Sequence, residues 1–208
     1  MTRPRRELVP GGLYHVTTRG IRRMPIFDEE RDRLVYLAIL QSVVAHYEWR
    51  CFSFCLMPNH VHLVVQTPEP DLDRGMHDLS HRYAVLYNHW NGHTGHLFER
   101  RYWSGLIASE AYLAAATRYV LRNPVRAQLC REAGEYPWSS YAACDATGDL
   151  FPLVDVEGLR AIFGSLGALR AFVDAPDTGA WRPPEGVPTE RSMTPGAWRQ
   201  KRRSGTVP

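Results

Sequence analysis

Residues 57–65 read MPNHVHLVV, an apolar run interrupted by two histidines just after a Pro-Asn break. Successive side chains of a strand point to opposite faces, so His60, His62 and Val64 share one face. Val61, Leu63 and Val65 take the other, as core residues should. Two imidazoles on one face sit close enough to bind one metal ion. The same residues also describe a half-buried edge strand with two hydrogen-bonded histidines, and only the rest of the chain separates the two readings. CFSFCLM (51–57) precedes the run as another strand, and the Pro58-Asn59 turn between them reads as a hairpin.

Outward from this hairpin the pattern alternates between periods. LYHVTTRG (13–20) is a first strand. Asp28 offers an N-cap for a helix to about Tyr47, with Leu34, Leu37 and Val44 on its apolar stripe. Asp71 offers a cap for a second helix carrying Leu72, Met76, Leu79, Tyr83, Leu86 and Trp90. NGHTG (91–95) is a turn cluster, RYWSGLIAS (101–109) a fourth strand, and Ser109 caps a third helix, EAYLAAATRYVLRN. The order β-α-β-β-α-β plus one helix predicts an α+β fold: a ferredoxin-like or RRM-like antiparallel sheet with helices on one face.

Around YPWSSY (136–141) the core pattern ends. The expected division is a domain over 1–145, a short helical extension over 146–174 and a flexible Pro/Gly/Arg-rich tail over 175–208. Leu159, Ile162, Phe163, Leu166, Leu169, Phe172 and Val173 supply the extension's apolar positions. GAWR occurs twice in the tail, at 179–182 and 196–199, too few copies for a repeat fold.

A chain of 208 residues buries a full core and suits one domain with room for an added segment. The formal net charge of +3 announces no global field for nucleic acid. Lys201 is the sole lysine, so the other cations are arginines, which suit bidentate phosphate contacts and base stacking. A GC-rich genome gives the same bias. Cys51, Cys55, Cys130 and Cys144 lack CxxC spacing, which argues against a zinc site or a disulfide framework. Cys51 and Cys55 read as small buried residues on the side of Ser53. MTRPRRELVPGG begins the chain with no apolar stretch behind it, and nothing reaches membrane-span length, so a cytoplasmic location is expected.

The third helix bears on the two histidines. Leu113, Ala116 and Val120 form its core stripe. Tyr112, Ala115, Tyr119 and Asn123 form the neighbouring one, with Tyr119 and Asn123 one turn apart. Pro124 disfavours helical geometry at Asn123, and Asn-Pro is also what an N-cap followed by a first helical residue looks like. If this helix crosses the histidine face, all four groups converge. Two imidazoles and a carboxamide oxygen leave open positions on a cation, and mixed N and O donors without thiolate favour Mg2+ or Mn2+ over closed structural zinc. Such a metal is a Lewis acid toward a phosphodiester. Tyr119 is the candidate nucleophile. A free phenol, with a pKa of ~10, needs activation at neutral pH. Its attack would conserve the phosphodiester's energy in a phosphotyrosine, without ATP.

MPNHVHLVV, TGHLFERRYWS, RYVLRNPVRA and YPWSSY, in this order and spacing from about Leu13 to Tyr141, closely resemble the REP-associated tyrosine transposases of the single-tyrosine HUH superfamily. The resemblance implies that His60 and His62 are metal ligands, Asn123 the third protein ligand and Tyr119 the nucleophile. It implies a metal-dependent endonuclease and strand transferase acting on single-stranded DNA near hairpins formed by palindromic repeats. The products would be a 5′-phosphotyrosine and a free 3′-hydroxyl. Ile21 departs from the family, which usually has Asn there, and the net charge is lower than the family would lead one to expect. Arg19, Arg22, Arg23, Arg100 and Arg101 are the expected DNA-facing cations, with Tyr102 and Trp103 as candidate base platforms. His93 and His96 of HTGH are assigned a loop-shaping role. The connection before Ser109 is glycine-poor and offers no hinge for exchanging the tyrosine helix, which favours a monomer over a dimer. The basic, Trp-bearing tail is a candidate gate over the site.

Two other classes compete. A non-catalytic RRM-like nucleic-acid module would keep the fold without turnover, but competent residues fill all four positions. A histidine-metal hydrolase of small molecules lacks a carboxylate near the histidines in sequence and leaves Tyr119 unexplained.

Overall fold

The computed structural model of the chain describes residues 7–145 and 151–176. The tail with its two GAWR segments, Lys201 and any gating role falls outside that range beyond Pro176, and the Cys144 side chain also lies outside the description. The elements are β1 (Leu13–Arg19), α1 (Glu30–His46), β2 (Arg50–Met57), β3 (His60–Gln66), α2 (Leu72–Asn91), β4 (Trp103–Leu106), α3 (Glu110–Arg126), α4 (Val156–Phe163) and α5 (Leu166–Asp174). Through α3 this is the order read from the sequence.

The strands form one antiparallel sheet in the order β2-β3-β1-β4. Met57 pairs with His60 across the Pro58-Asn59 turn, so β2 and β3 are the expected hairpin. β1 then lies against β3, with Thr17 opposite His62 and Arg19 opposite His60. Because paired residues share a face, His15, Thr17 and Arg19 join His60 and His62 on one side. Val61, Leu63 and Val65 on the other side are buried just as fully, so both faces are covered. α1 and α2 pack on each other within the same core, and α3 crosses the histidine face, where Tyr119 meets the His15 and His62 rings.

Several local expectations need correction. Glu29, not Asp28, is the N-cap of α1. The buried Asp32 carboxylate accepts from the Asp28 and Glu29 N–H groups at 2.8 and 2.9 Å, while Asp28 accepts from the Tyr87 hydroxyl at 2.6 Å. Asp71 holds the N-cap position of α2, yet its carboxylate accepts from the Trp49 indole at 2.9 Å instead of from the helix. The inner stripe of α2 runs Leu72, Met76, Leu79, Tyr83 and then Tyr87, whereas Trp90 is 38% exposed under the Arg31 guanidinium. In β2 the register shifts between Cys51 and Ser53. That bulge adds a residue to one strand and inverts its alternation. Cys51 therefore faces with Val65, while Ser53 and Cys55 face with Val64 and His62. Among the described residues Cys51, Cys55 and Cys130 form no disulfide.

The Ser109 hydroxyl caps α3 as expected, accepting from the Tyr112 N–H at 3.2 Å. Asn123-Pro124 does not begin a helix. α3 runs through it to Arg126, with Ala127 donating to the Asn123 carbonyl and Leu129 to that of Pro124. Pro124 has no N–H to donate to the turn before it, and separately the Asn123 side-chain amide donates to the Tyr119 carbonyl at 3.0 Å.

Beyond the sheet, α4 and α5 bury Leu159, Leu166, Leu169 and Val173. Arg118 and Arg122 of α3 donate to carbonyls at the C-terminal end of α5, those of Phe172, Val173, Ala175 and Pro176. The Tyr141 hydroxyl donates to Asp174 at 2.6 Å, and Arg50 pairs with Asp155. Among the described residues no helix is long and apolar enough to cross a membrane.

Candidate active site

β3 delivers His60 and His62 to the face beneath α3, and the two ring centroids stand 4.9 Å apart. α3 delivers Tyr119, whose ring centroid lies 5.6 Å from that of His62 in an edge-on arrangement. Asn123 follows one turn later on the same helix, fully buried. The fold thus brings the Tyr119 ring onto the histidine pair, with Asn123 one turn further along the same helix.

Each imidazole is held by its Nδ1. His60 Nδ1 lies 2.7 Å from Asn59 Oδ1, and the Asn59 amide nitrogen donates to the Arg23 carbonyl at 2.8 Å. That second bond fixes the amide's orientation, so the oxygen faces His60 and can only accept. His60 must then carry its proton on Nδ1 and present a bare Nε2. His62 Nδ1 lies 3.2 Å from His15 Nε2 and 3.1 Å from Thr17 Oγ1, both able to accept. The same tautomer follows for His62 when its Nε2 acts as a ligand.

The charge state suits this role. Burial, reinforced by Arg19, pushes His60 down to about 3. Burial alone takes His15 to about 3. His62 falls well below its ordinary value through burial, then His60, His15 and Arg19. All three rings are neutral at physiological pH, as metal ligands must be.

His60 Nε2, His62 Nε2 and Asn123 Oδ1 are buried and find no hydrogen-bond partner. Three such buried orphans, on β3 and on the helix that crosses it, are costly unless something satisfies them. Two nitrogens and one amide oxygen fit a divalent cation that keeps open positions. Among the described residues no three His, Cys, Asp or Glu side chains form a metal-holding group.

Two arginines lie near the phenol. Arg19, half-buried on the histidine face, is in electrostatic range of Tyr119 and both ligand candidates. The Arg126 guanidinium lies over the Tyr119 ring, 4.9 Å from its centroid. Arg22 and Arg23 are exposed, both at positive φ in the turn after β1. Arg100 and Arg101 are exposed before β4. Tyr102 is corrected: it is 2% exposed and offers no face to a base, because the chain turns inward just before β4. Trp103 stays partly exposed, against the His15 ring at 5.5 Å.

Sequence reasoning missed His15, Thr17, Asn59 and Arg126. The first two alternate with Val16 in β1, but their value depends on the β1–β3 register, which no local pattern reveals. Asn59 read as half of a turn.

Comparison with known proteins identifies the family. Residues 9–123 match the family described as Transposase IS200 like. The chain belongs to that family, whose tyrosine-type members are DNA-cleaving enzymes. It is 24% identical over 173 residues to a putative REP-associated tyrosine transposase of Haemophilus influenzae, covering 73% of this chain and 92% of that one. Its fold matches the solved structure of a REP-associated tyrosine transposase bound to a REP hairpin. There the TM-score is 0.61 at 18% identity, over 71% of this chain and 87% of the other.

Proposed function

We propose that this transposase cuts and rejoins single-stranded DNA beside hairpin-forming palindromic repeats through a 5′-phosphotyrosine at Tyr119. The reading is carried by one observation: a helix-borne phenol ring 5.6 Å from an imidazole whose outer nitrogen is a buried, unsatisfied donor atom. The solved relative bound to a REP hairpin supports a hairpin partner.

His60, His62 and Asn123 would hold Mg2+ or Mn2+, which when bound polarises the phosphodiester and orients it. Tyr119 supplies the nucleophile. Its oxygen forms a bond to phosphorus as the bond to the 3′-oxygen breaks; the phenol proton is lost and the departing oxygen takes one up. Arg19 favours the phenolate and the charge growing on phosphorus, since it sits in a half-buried position where screening is weak. Arg126 is exposed, so its side chain can swing from the ring onto a phosphate and uncover the phenol. Asn59, His15 and Thr17 keep both ligand imidazoles in one tautomer. Reversal of the first step with a different 3′-hydroxyl rejoins the strand.

The test is incubation with a labelled hairpin oligonucleotide and Mn2+, followed by a denaturing gel. Wild type should give a protein–DNA adduct, Tyr119→Phe none, and His60→Ala or His62→Ala none while still binding the hairpin. An undiminished adduct in Tyr119→Phe assigns the nucleophile elsewhere. Hairpin binding lost together with cleavage in the histidine variants makes those residues structural. We also propose the division at residue 145 and a monomeric state, to be checked by limited proteolysis and by sedimentation.

A further inference from the structure

The family match ends at Asn123, yet α3 runs on to Arg126, and α4 and α5 follow later in the chain. These two helices reach the tyrosine helix from its outer side. Tyr119 and Asn123 lie on one stripe of α3, and Arg118 and Arg122 lie on the next, about 100° round the axis. Tyr119 meets the His62 ring. The two arginines meet the C-terminal end of α5.

Arg118 donates through Nε to the Phe172 carbonyl at 2.8 Å, and through a terminal nitrogen to those of Ala175 and Pro176. Its guanidinium also lies 5.4 Å from the Phe172 ring centroid. Arg122 donates to the Val173 carbonyl at 2.7 Å and to that of Ala175 at 3.1 Å. The last carbonyls of a helix lack partners within it, so two guanidinium groups fit them in donor number and in charge.

The extension is also fastened to the sheet. The Asp155 N–H donates to the Cys51 carbonyl at 2.8 Å, and its carboxylate pairs with Arg50, both on β2. At the other end of the extension, Asp174 accepts from the Tyr141 hydroxyl at 2.6 Å. The neighbouring Ser140 hydroxyl accepts from the Phe54 N–H of β2 at 2.9 Å. Leu159, Leu169 and Val173 anchor both helices in the common core. α5 therefore links α3 to the sheet that carries the histidines.

The inner face of α3 packs through Leu113, Ala116 and Val120. Apolar packing is not directional and leaves small rolls of a helix cheap. Hydrogen bonds to fixed carbonyls are directional. A tyrosine oxygen stands roughly 8 Å from its helix axis, so a roll of about 7° shifts it by about 1 Å. A shift of that size at a reacting atom can cost about 100-fold in rate. We propose that α5 braces α3 and fixes the roll that sets the Tyr119 phenol against the histidine pair, with Arg118 and Arg122 as positioning residues.

The inference rests on Tyr119 being the nucleophile, and its test separates the two claims. Adduct formation is followed in a single turnover at saturating hairpin and Mn2+, at a temperature where circular dichroism shows each variant folded. Arg118→Ala/Arg122→Ala should slow it by about ten- to a hundredfold, while hairpin affinity by fluorescence anisotropy stays at the wild-type value. Tyr141→Phe, which loosens α5 without touching either arginine, should give a smaller slowing of the same kind. Trp49→Phe loses the hydrogen bond to Asp71 and serves as a destabilised control; it should keep the wild-type rate. A wild-type rate in the arginine variant overturns the proposal. So does equal slowing in Trp49→Phe, which makes the effect one of general stability. Hairpin affinity lost in step with rate also overturns it, because the arginines then contact DNA themselves. If wild type forms no adduct, the nucleophile reading falls, and hydrogen exchange without DNA or metal decides the brace. The α3 amides should then exchange faster in the arginine variant and not in Trp49→Phe; unchanged exchange in the arginine variant overturns it.

Discussion

In the proposed reading His60 and His62 would serve as ligands only while their Nδ1 atoms are engaged elsewhere, which makes Asn59 more than a turn residue. Its oxygen holds His60 and its nitrogen holds the Arg23 carbonyl. Removing such a partner typically lowers metal affinity or activity by about 10–100-fold. Asn59→Ala should show a loss of that size in Mn2+ affinity by calorimetry, while the hairpin affinity stays unchanged. Wild-type metal affinity in this variant would mean the His60 tautomer is set some other way. The His-x-His pair was legible because strand alternation is a local rule. Asn59 was not, since Pro-Asn satisfies turn chemistry completely and its partner, the Arg23 carbonyl, comes from a distant segment. Tyr102 misled for a similar reason. An aromatic beside two arginines reads the same whether it faces outward or into the core, and only the sheet's position decides.

At the scale of elements, α3 is the part on which the site depends most, and it is tied at several points. Ser109 caps its start, and its sheet-facing stripe is buried, with Leu113, Ala116 and Val120 at 5% or less. Its outer side is bound to the end of α5 through Arg118 and Arg122, which flank Tyr119 and Asn123 in sequence. Guanidinium groups at a helix C-terminus satisfy orphan carbonyls and match the helix dipole. Replacing both arginines with alanine should cost about 1–2 kcal/mol in denaturant unfolding, a partial value because the pair is part-exposed. Adduct formation should slow as well, since the helix bearing Tyr119 loses its outer support. An unchanged unfolding midpoint would make these contacts incidental. The cap and the stripe of α3 could be read in advance from a 3.6-residue period. Its passage through Pro124 could not, because local preference predicts a boundary there and tertiary packing overrides it. The β2 bulge escaped for the same reason: an extra residue leaves no mark in an alternating apolar run, yet it moves Cys51 to the other face.

Taken as a whole, the molecule buries several neutral imidazoles in one layer, and this couples stability to pH. His15 and His60 sit at about 3 in the folded protein, and His62 is also well below its ordinary value, against about 6.5 in an unfolded chain. The unfolded state therefore binds more protons between those values. The full contribution is present above about pH 6.5 and is lost as pH falls toward 3, at up to about 1.4 kcal/mol per pH unit for each imidazole. Denaturant midpoints should hold nearly level from pH 7.5 to about 6.5 and then fall steadily toward pH 5. A flat profile would contradict the burial of these rings. Added Mn2+ should raise the midpoint at pH 7.5 in wild type and not in His60→Ala, because a ligand held only by the folded state stabilises it. The element order and the antiparallel α+β class could be read from periodicity and turn signals, so the overall architecture was accessible from the chain alone. The pairing that places His15 and Thr17 against His62 is a contact between distant segments, and it became visible only in the folded molecule. The most direct test of the central claim is the position of the DNA on the protein. The covalent adduct formed with a hairpin oligonucleotide and Mn2+ is digested with trypsin and nuclease, then sequenced by tandem mass spectrometry. The account predicts a nucleotide on Tyr119 within the peptide Tyr119–Arg122; a nucleotide on any other residue would contradict it.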